Sequence, residues 1–219
     1  MGKHRVKLTQ ARSEALNPIT EGGVVMAWVP SVAEIVGTMD RSGFRVIGGG
    51  GLNLVGIRTN SFTPNQFDDY LTVFYEGTYN DWVYFAFPGT TDPGTYYLRE
   101  PLNVDGTAVM KPGQYRDSHI AGKHRGYRAL RQIGPVTVYR DVNRDGVLDT
   151  EGMEEQTGVF GLNIHRSSTR IRTQKVGRWS AGCQVFQDDL HLRFLLSLTD
   201  RAGGGPFDYT LLTQDMFKK

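Results

Sequence analysis

The fold of this chain is indicated most strongly by short runs of aromatic and β-branched residues. Glycine, proline and Asn-Asp turns separate these runs. Two such runs, 70–75 and 82–87, flank a segment that contains Gly77, Asn80 and Asp81, and this pattern predicts a β-hairpin. The chain is therefore expected to be mainly β and β-sandwich-like, and its 27 glycines agree with many turns. Further strands are predicted at 45–47, 52–58, 96–98, 136–139, 159–164 and 207–212.

Two short helices are predicted outside the strands. The first, at 30–39, begins with a proline, which suits a first helical turn. The second, at 188–199, begins with two aspartates, which favour the positive end of a helix dipole, and its apolar residues recur at helical spacing. We expect one β-rich domain at 23–219, preceded by a polar, basic arm at 1–22.

Length, charge and cysteine content narrow the range of functions. The 219 residues suffice for a domain with a sizeable core, and the net charge of +2 is too small to indicate a nucleic-acid partner. We expect no signal peptide and no membrane span, because no apolar stretch is long enough. If the substrate lies outside the cytoplasm, the protein would then have to reach it through phage lysis or as part of a virion. The single cysteine, Cys183, excludes an internal disulfide and is either an inert or a reactive thiol.

His165 and Cys183 form the strongest candidate site. A thiol that attacks a carbonyl needs a base, a group that orients the base, and donors for the developing oxyanion. His165 lies at the end of a predicted strand, and Cys183 follows 18 positions later in the segment Trp179-Ser180-Ala181-Gly182-Cys183. Gly182 allows a tight turn, so we expect the N–H groups of Gly182 and Cys183 to converge on a substrate oxygen.

This pattern resembles the signature of the L,D-transpeptidase (YkuD-type) catalytic domain, in which a histidine and a spacer precede Ser/Thr-His-Gly-Cys. The resemblance extends to phage-associated proteins that carry the same cysteine motif. It implies that Cys183 is the nucleophile, that His165 is its base, and that the backbone carbonyl of Arg166 orients the imidazole. It also implies a β-sandwich-like fold that requires no cofactor.

The cysteine loop matches the family in part. Ser180 and Gly182 match the loop residues, and the resemblance covers about residues 158–186. Ala181 stands where the family usually has a second histidine, which is thought to shape the oxyanion pocket. We expect this change to affect turnover and the preference for cross-linking.

The resemblance implies peptidoglycan stem peptides as substrate, with acyl transfer to an amine or to water. Five cations and no acid lie between Gly161 and Gln187, and an arginine can hold a carboxylate through two hydrogen bonds. We expect these cations also to favour the thiolate form of Cys183. For the cations, the alternative is an ordinary solvated loop. For Trp179, the alternative is a place in the hydrophobic core. Substrate contacts are predicted for His124, Arg170, Arg172, Arg178 and Trp179.

A second motif, residues 141–149, resembles the first nine positions of an EF-hand-type calcium loop. Gly146 would permit the sharp turn, whereas Gly152 stands where a twelfth-position glutamate is usual. The alternative is a hairpin with an Asp-Gly turn. A structural calcium ion would take its oxygens from Asp141, Asn143, Asp145, the carbonyl of Val147, and Asp149.

Other functions stay open on the sequence alone. A zinc site of His119, His124 and His165 lacks the usual close spacing of ligands. A sortase-like transpeptidase would use His124, Cys183 and Arg193, but the Thr-Leu-x-Thr-Cys sequence of sortases is missing. A non-catalytic wall-binding or virion structural protein on the same fold is compatible with the loss of the second histidine. We favour peptide cleavage in phage lysis or cell entry.

Overall fold

The main sheet closes into a barrel of eight strands. The computed structural model describes residues 28–61, 65–79 and 81–218, so the predicted arm at 1–22 lies outside the described residues. In barrel order the strands are β1 (Asn53–Arg58), β11 (Phe207–Thr213), β5 (Gly113–His124), β6 (Tyr127–Gln132), β9 (Ile164–Arg166), β10 (Gln184–Phe186), β3 (Trp82–Thr90) and β2 (Asp69–Glu76).

A smaller sheet accompanies the barrel. Its three strands, in spatial order, are β4 (Thr107–Met110), β7 (Val136–Asp141) and β8 (Glu155–Gly158), all antiparallel. The predicted mainly β class with short helices is thus confirmed. The larger sheet closes on itself instead of stacking as one layer of the expected sandwich, because β1 pairs with both β2 and β11.

The described residues form three α-helices and a final 3₁₀ turn. They are α1 (Val32–Arg41), α2 (Thr95–Arg99), α3 (Asp189–Arg201) and the turn Gln214–Phe217. Ser31 caps α1 through a reciprocal pair of contacts with Glu34, and the Asp188 side chain accepts a hydrogen bond from the N–H of Leu190 at the start of α3. Both predicted helices are therefore present, and each begins at a side-chain cap. None of the helices in the described ranges is long and apolar enough to cross a membrane.

Apolar side chains cover both faces of strands β1–β3. Leu54 and Leu71 belong to the cluster that fills the barrel and is closed by α3, whereas Val55 and Phe74 pack beneath Ile35 of α1. Successive residues of a strand point to opposite faces, so one strand serves both clusters. Each fully buried side chain of this kind contributes about 1.5–3 kcal/mol.

Three predicted strands differ from the structure. Segment 45–47 is not a strand, because its backbone N–H groups are bonded to the side chains of Gln114 and Asn53. Segment 96–98 belongs to the helix α2, since a three-residue apolar run does not distinguish a strand from a helix. Segment 159–164 joins β9 only at Ile164, because Gly161 has a φ of 78° and breaks the extended backbone.

Candidate active site

The parallel pairing of β9 with β10 brings the two predicted reactive residues together. His165 lies opposite Val185, and Cys183 immediately precedes β10. Cys183 is thus two positions along the chain from the residue that pairs with His165. Both line one cavity of about 560 Å³, whose walls also include Ala108 of the small sheet.

The His165 ring is held by its Nδ1 atom. This nitrogen donates to the backbone carbonyl of Arg166 at 2.8 Å, and the Tyr127 hydroxyl lies 3.1 Å from the same atom. The contact with Arg166 is the one that the sequence resemblance implies. Burial lowers the pKa of His165 to about 3, so the ring is neutral at pH 7 and its Nε2 atom carries a lone pair.

The Cys183 thiol is protonated at neutral pH. Burial raises its pKa to about 11, although the backbone N–H of Asn163 and the charge of Arg125 act in the opposite direction. Its Sγ atom donates to the carbonyl of Gly161 at 3.6 Å. Cys183 and His165 both belong to the described residues, and no hydrogen bond joins their side chains.

The prediction that the neighbouring cations favour the thiolate is wrong. Arg166 forms an ion pair with Asp189 at 2.9 Å, and the guanidinium of Arg172 donates to Gln187 at 2.9 Å. The charges of these two arginines are directed to other groups, and burial of the sulfur outweighs the remaining charges in raising the Cys183 pKa. The positions of these arginines in the sequence do not predict their partners, because the side chains of one loop can point in different directions.

The loop before Cys183 is organised by Ser180. The Ser180 hydroxyl donates to the carbonyl of Cys183 at 2.7 Å and accepts from the N–H of Gly182 at 3.1 Å. The Gly182 N–H is therefore occupied, which corrects its predicted role as an oxyanion donor. No hydrogen bond within the described ranges engages the Cys183 N–H, which leaves it as the candidate donor. Gly182 has a φ of 117°, and a Cβ atom there would overlap the Ala108 carbonyl.

A second imidazole lies beside His165. His124, at the end of β5, stacks on His165 with ring centroids 4.5 Å apart. The Asn163 side chain accepts from the N–H of Gln132 at 3.0 Å and lies 3.0 Å from Nδ1 of His124, to which its amide donates. Nδ1 of His124 is therefore an acceptor, and the proton of the neutral ring is on Nε2. The sequence placed His124 in the cleft, but the orienting role of Asn163 was not predicted.

Cations and no acids line the described walls of the cavity. Arg125, Arg140 and Arg178 line it, and none of the described residues that line it is an aspartate or glutamate. Arg125 belongs to a two-residue turn with Gly126 in which both φ angles are positive, as in a type I′ hairpin. No sequence pattern singles out Arg140, which the small sheet brings to the site. This arrangement suits an anionic ligand.

The predicted substrate residues divide into two groups. His124, Arg178 and Trp179 line the cavity, and Trp179 is 39% exposed, so it is not a core residue. Arg170 and Arg172 are absent from the lining. Their predicted contact with substrate in this cavity is therefore not supported, because the loop after β9 directs them elsewhere.

The residues considered as zinc or calcium ligands lie in separate parts of the structure. His119 is buried with its ring nitrogens bonded to Ser118 and to the carbonyl of Leu162, so both are already in use. The calcium-like motif begins at Asp141, the last residue of β7, and continues into the loop 142–154 that connects β7 to β8. In the part of the chain that the structure describes, no group of three His, Cys, Asp or Glu side chains is arranged to hold a metal ion as it stands.

Comparisons of the chain with protein-family models, with curated proteins and with solved structures give no match. The site is therefore interpreted from its own residues. A sortase-like arrangement would bring an arginine to the thiol from α3. Arg193 instead forms an ion pair with Asp189 at 2.6 Å and does not line the cavity.

Proposed function

We propose that this chain catalyses cysteine-dependent acyl transfer or hydrolysis on peptidoglycan stem peptides, as L,D-transpeptidase-like enzymes do. One observation carries the proposal. Cys183 and His165 face one cavity from adjoining parallel strands, and the Arg166 carbonyl fixes Nδ1 of the imidazole so that Nε2 can accept a proton. We favour cleavage in phage lysis or entry over cross-linking, because the resemblance extends to phage-associated proteins.

The reaction begins from two neutral groups. The Cys183 side chain rotates away from the Gly161 carbonyl, its proton passes to Nε2 of His165, and the sulfur forms a bond with the substrate carbonyl carbon. The Cys183 N–H stabilises the oxyanion. The carbon–nitrogen bond then breaks, and the leaving amine takes the proton from His165. Water attacks the resulting thioester to give a carboxylic acid and the free thiol, whereas an amine would give a new amide.

The charges of the cavity support an acidic peptide as substrate. Stem peptides carry several carboxylates, and three arginines line the cavity without a described acid among its walls. Arg178 is oriented by the ring of Tyr96, with its Cζ atom 3.9 Å from the ring centroid. A planar guanidinium held in this way can accept a carboxylate through two hydrogen bonds.

Digestion of purified peptidoglycan tests the proposal. Wild type and Cys183→Ala are incubated with the polymer, and the soluble products are identified by mass spectrometry. We expect the wild type to release or join stem peptides at one type of amide bond and Cys183→Ala to form no product. Identical products from both proteins, or no product from either, would contradict the proposal.

A second candidate function is non-catalytic binding to the cell wall or a structural role in a virion. It is favoured by the burial of the thiol, its pKa of about 11 and its hydrogen bond to the Gly161 carbonyl. These properties also describe an inert cysteine. The same digestion distinguishes the two functions, because a binding protein would sediment with peptidoglycan in both forms and leave the polymer intact.

A further inference from the structure

A buried carboxylate marks the loop between β7 and β8. Asp141, the last residue of β7, is fully buried, and its Oδ1 atom has no hydrogen-bond partner among the described residues. Its Oδ2 atom accepts only a long contact of 3.4 Å from the N–H of Asp149. A buried carboxylate oxygen without a donor is costly, which indicates that a cation belongs beside it.

Hydrogen bonds link the carboxyl group of Asp141 to the rest of the loop. Asp149 donates its N–H to Oδ2 of Asp141, and Oδ2 of Asp149 accepts from the Asn143 amide. Asp141, Asn143 and Asp149 are therefore neighbours, and a divalent cation between them would offset the cost of burying the Asp141 carboxylate.

The Asn143 amide stands between two acids of the loop. Its Nδ2 atom donates to Oδ2 of Asp149 at 2.8 Å and to Oδ2 of Asp145 at 3.2 Å. The amide N–H groups of Asn143 therefore lie between a carboxylate oxygen of Asp149 and one of Asp145. Rotation of the amide would replace these N–H groups with an oxygen, which is the donor that calcium prefers.

We propose that residues 141–149 bind one calcium ion. The ligands are the side-chain oxygens of Asp141, Asn143, Asp145 and Asp149 and the backbone carbonyl of Val147. Calcium takes six to eight oxygen ligands, so water completes the shell. Because Gly152 supplies no twelfth-position carboxylate, we expect an affinity of about 10⁻⁴ to 10⁻³ M.

The ion would stabilise one wall of the cavity. Asp141 pairs with Thr107 of β4, and its neighbour Arg140 lines the cavity and donates to the Gly106 carbonyl at 3.2 Å. Calcium would hold the end of β7 against the loop and so keep β4 and Arg140 in place. The site itself uses none of the residues assigned to the proposed reaction, and its test requires no activity.

Calorimetric titration of calcium chloride into the chelator-treated full chain tests this inference, with thermal unfolding as a second measurement. We expect one calcium ion per chain. At tenfold excess over the dissociation constant, we expect a rise of about 3–5 °C in the midpoint of unfolding. Magnesium chloride is the matched ligand control, and we expect it to bind more weakly because it demands six ligands in a rigid octahedron.

Two variants identify the ligands. Asp145 is exposed, so Asp145→Asn is expected to fold, and it should weaken calcium binding by about tenfold or more through loss of a charged ligand. Glu151→Gln removes an exposed charge just beyond the loop and should bind like the wild type. A wild type without calcium heat or thermal shift would overturn the proposal. Equal binding by Asp145→Asn, or an equal response to magnesium, would also overturn it.

Discussion

The imidazole rings of His124 and His165 stack with an interplanar angle of 16°. Each ring is fixed at Nδ1 by a different partner, the Asn163 amide for His124 and the Arg166 carbonyl for His165. The free Nε2 atoms therefore differ, since His165 offers a lone pair and His124 offers a proton. One acceptor and one donor stand side by side at the cavity that contains Cys183.

This difference predicts a role for His124 as a donor to the reacting oxygen, where Ala181 leaves no histidine. We expect His124→Ala to lower kcat by about 10²-fold with a smaller change in KM, as for the loss of one oxyanion donor. Steady-state release of stem peptides measures both constants. Lys123→Ala, an exposed change on the same strand, is the control. Equal kcat values for the two variants would exclude the role.

The raised pKa of Cys183 predicts how its reactivity depends on pH. Because the thiolate is the nucleophile in alkylation and the pKa is about 11, the rate with iodoacetamide should rise about tenfold per pH unit between pH 7 and 9. The rate is followed by intact-mass spectrometry. A rate that is already constant below pH 7 would instead indicate a thiolate paired with an imidazolium.

Buried histidines predict a loss of stability in acid. Burial lowers the pKa of His119 to about 4, below the unfolded value of about 6.5. As pH falls below 6.5, the unfolded chain takes up this proton first, so stability present at pH 7 is lost. The change from pH 7 to 5 is about 2 kcal/mol for this group.

The contribution of His119 is isolated by comparison with His119→Gln. Urea unfolding at several pH values should give a smaller pH dependence for the variant than for the wild type. Asp69 acts in the opposite direction, because burial and the charges of Asp92 and Asp68 raise its pKa to about 7, but its contribution cancels in the difference. Parallel curves for the two proteins would show that the pKa of His119 is the same in the folded and unfolded states, which contradicts its lowering by burial.

The two hydrogen bonds of the Ser180 hydroxyl predict the cost of its removal. Ser180→Ala should lower the free energy of unfolding by about 1–3 kcal/mol, because a buried carbonyl and a buried N–H lose their partner. Ser197→Ala on α3, which loses one exposed hydrogen bond, should cost much less. Urea unfolding measures both. If the two variants are equally stable, the Ser180 hydroxyl does not organise the cysteine loop.

Local patterns predicted the parts of the fold that depend on neighbouring residues. The hairpin of β2 and β3 and the helix α3 were predicted because turn residues and apolar spacing lie within single segments. The contact between His165 and the Arg166 carbonyl was expected only from the resemblance to L,D-transpeptidases, and the structure contains it.

Features that depend on distant segments were not predicted. Closure of the barrel requires β1 to pair with β11, which follows about 150 residues later. Arg140 reaches the cavity from the small sheet, and the burial of Cys183 results from packing that no sequence window contains. These contacts decide the charge of the cavity and the protonation of the thiol. The sequence therefore predicted two residues that line one cavity, His165 and Cys183, but not their ionisation.

The proposed role of Cys183 as nucleophile requires a covalent acyl-enzyme, which can be trapped. The protein is mixed with an isolated stem peptide, quenched in acid within the first turnover, and analysed by intact-mass spectrometry and peptide mapping. We expect an added mass equal to the acyl part of the peptide on Cys183 in the wild type, and strongly reduced labelling in His165→Ala. An adduct on another residue, or peptide cleavage that continues in Cys183→Ala, would contradict this role of Cys183.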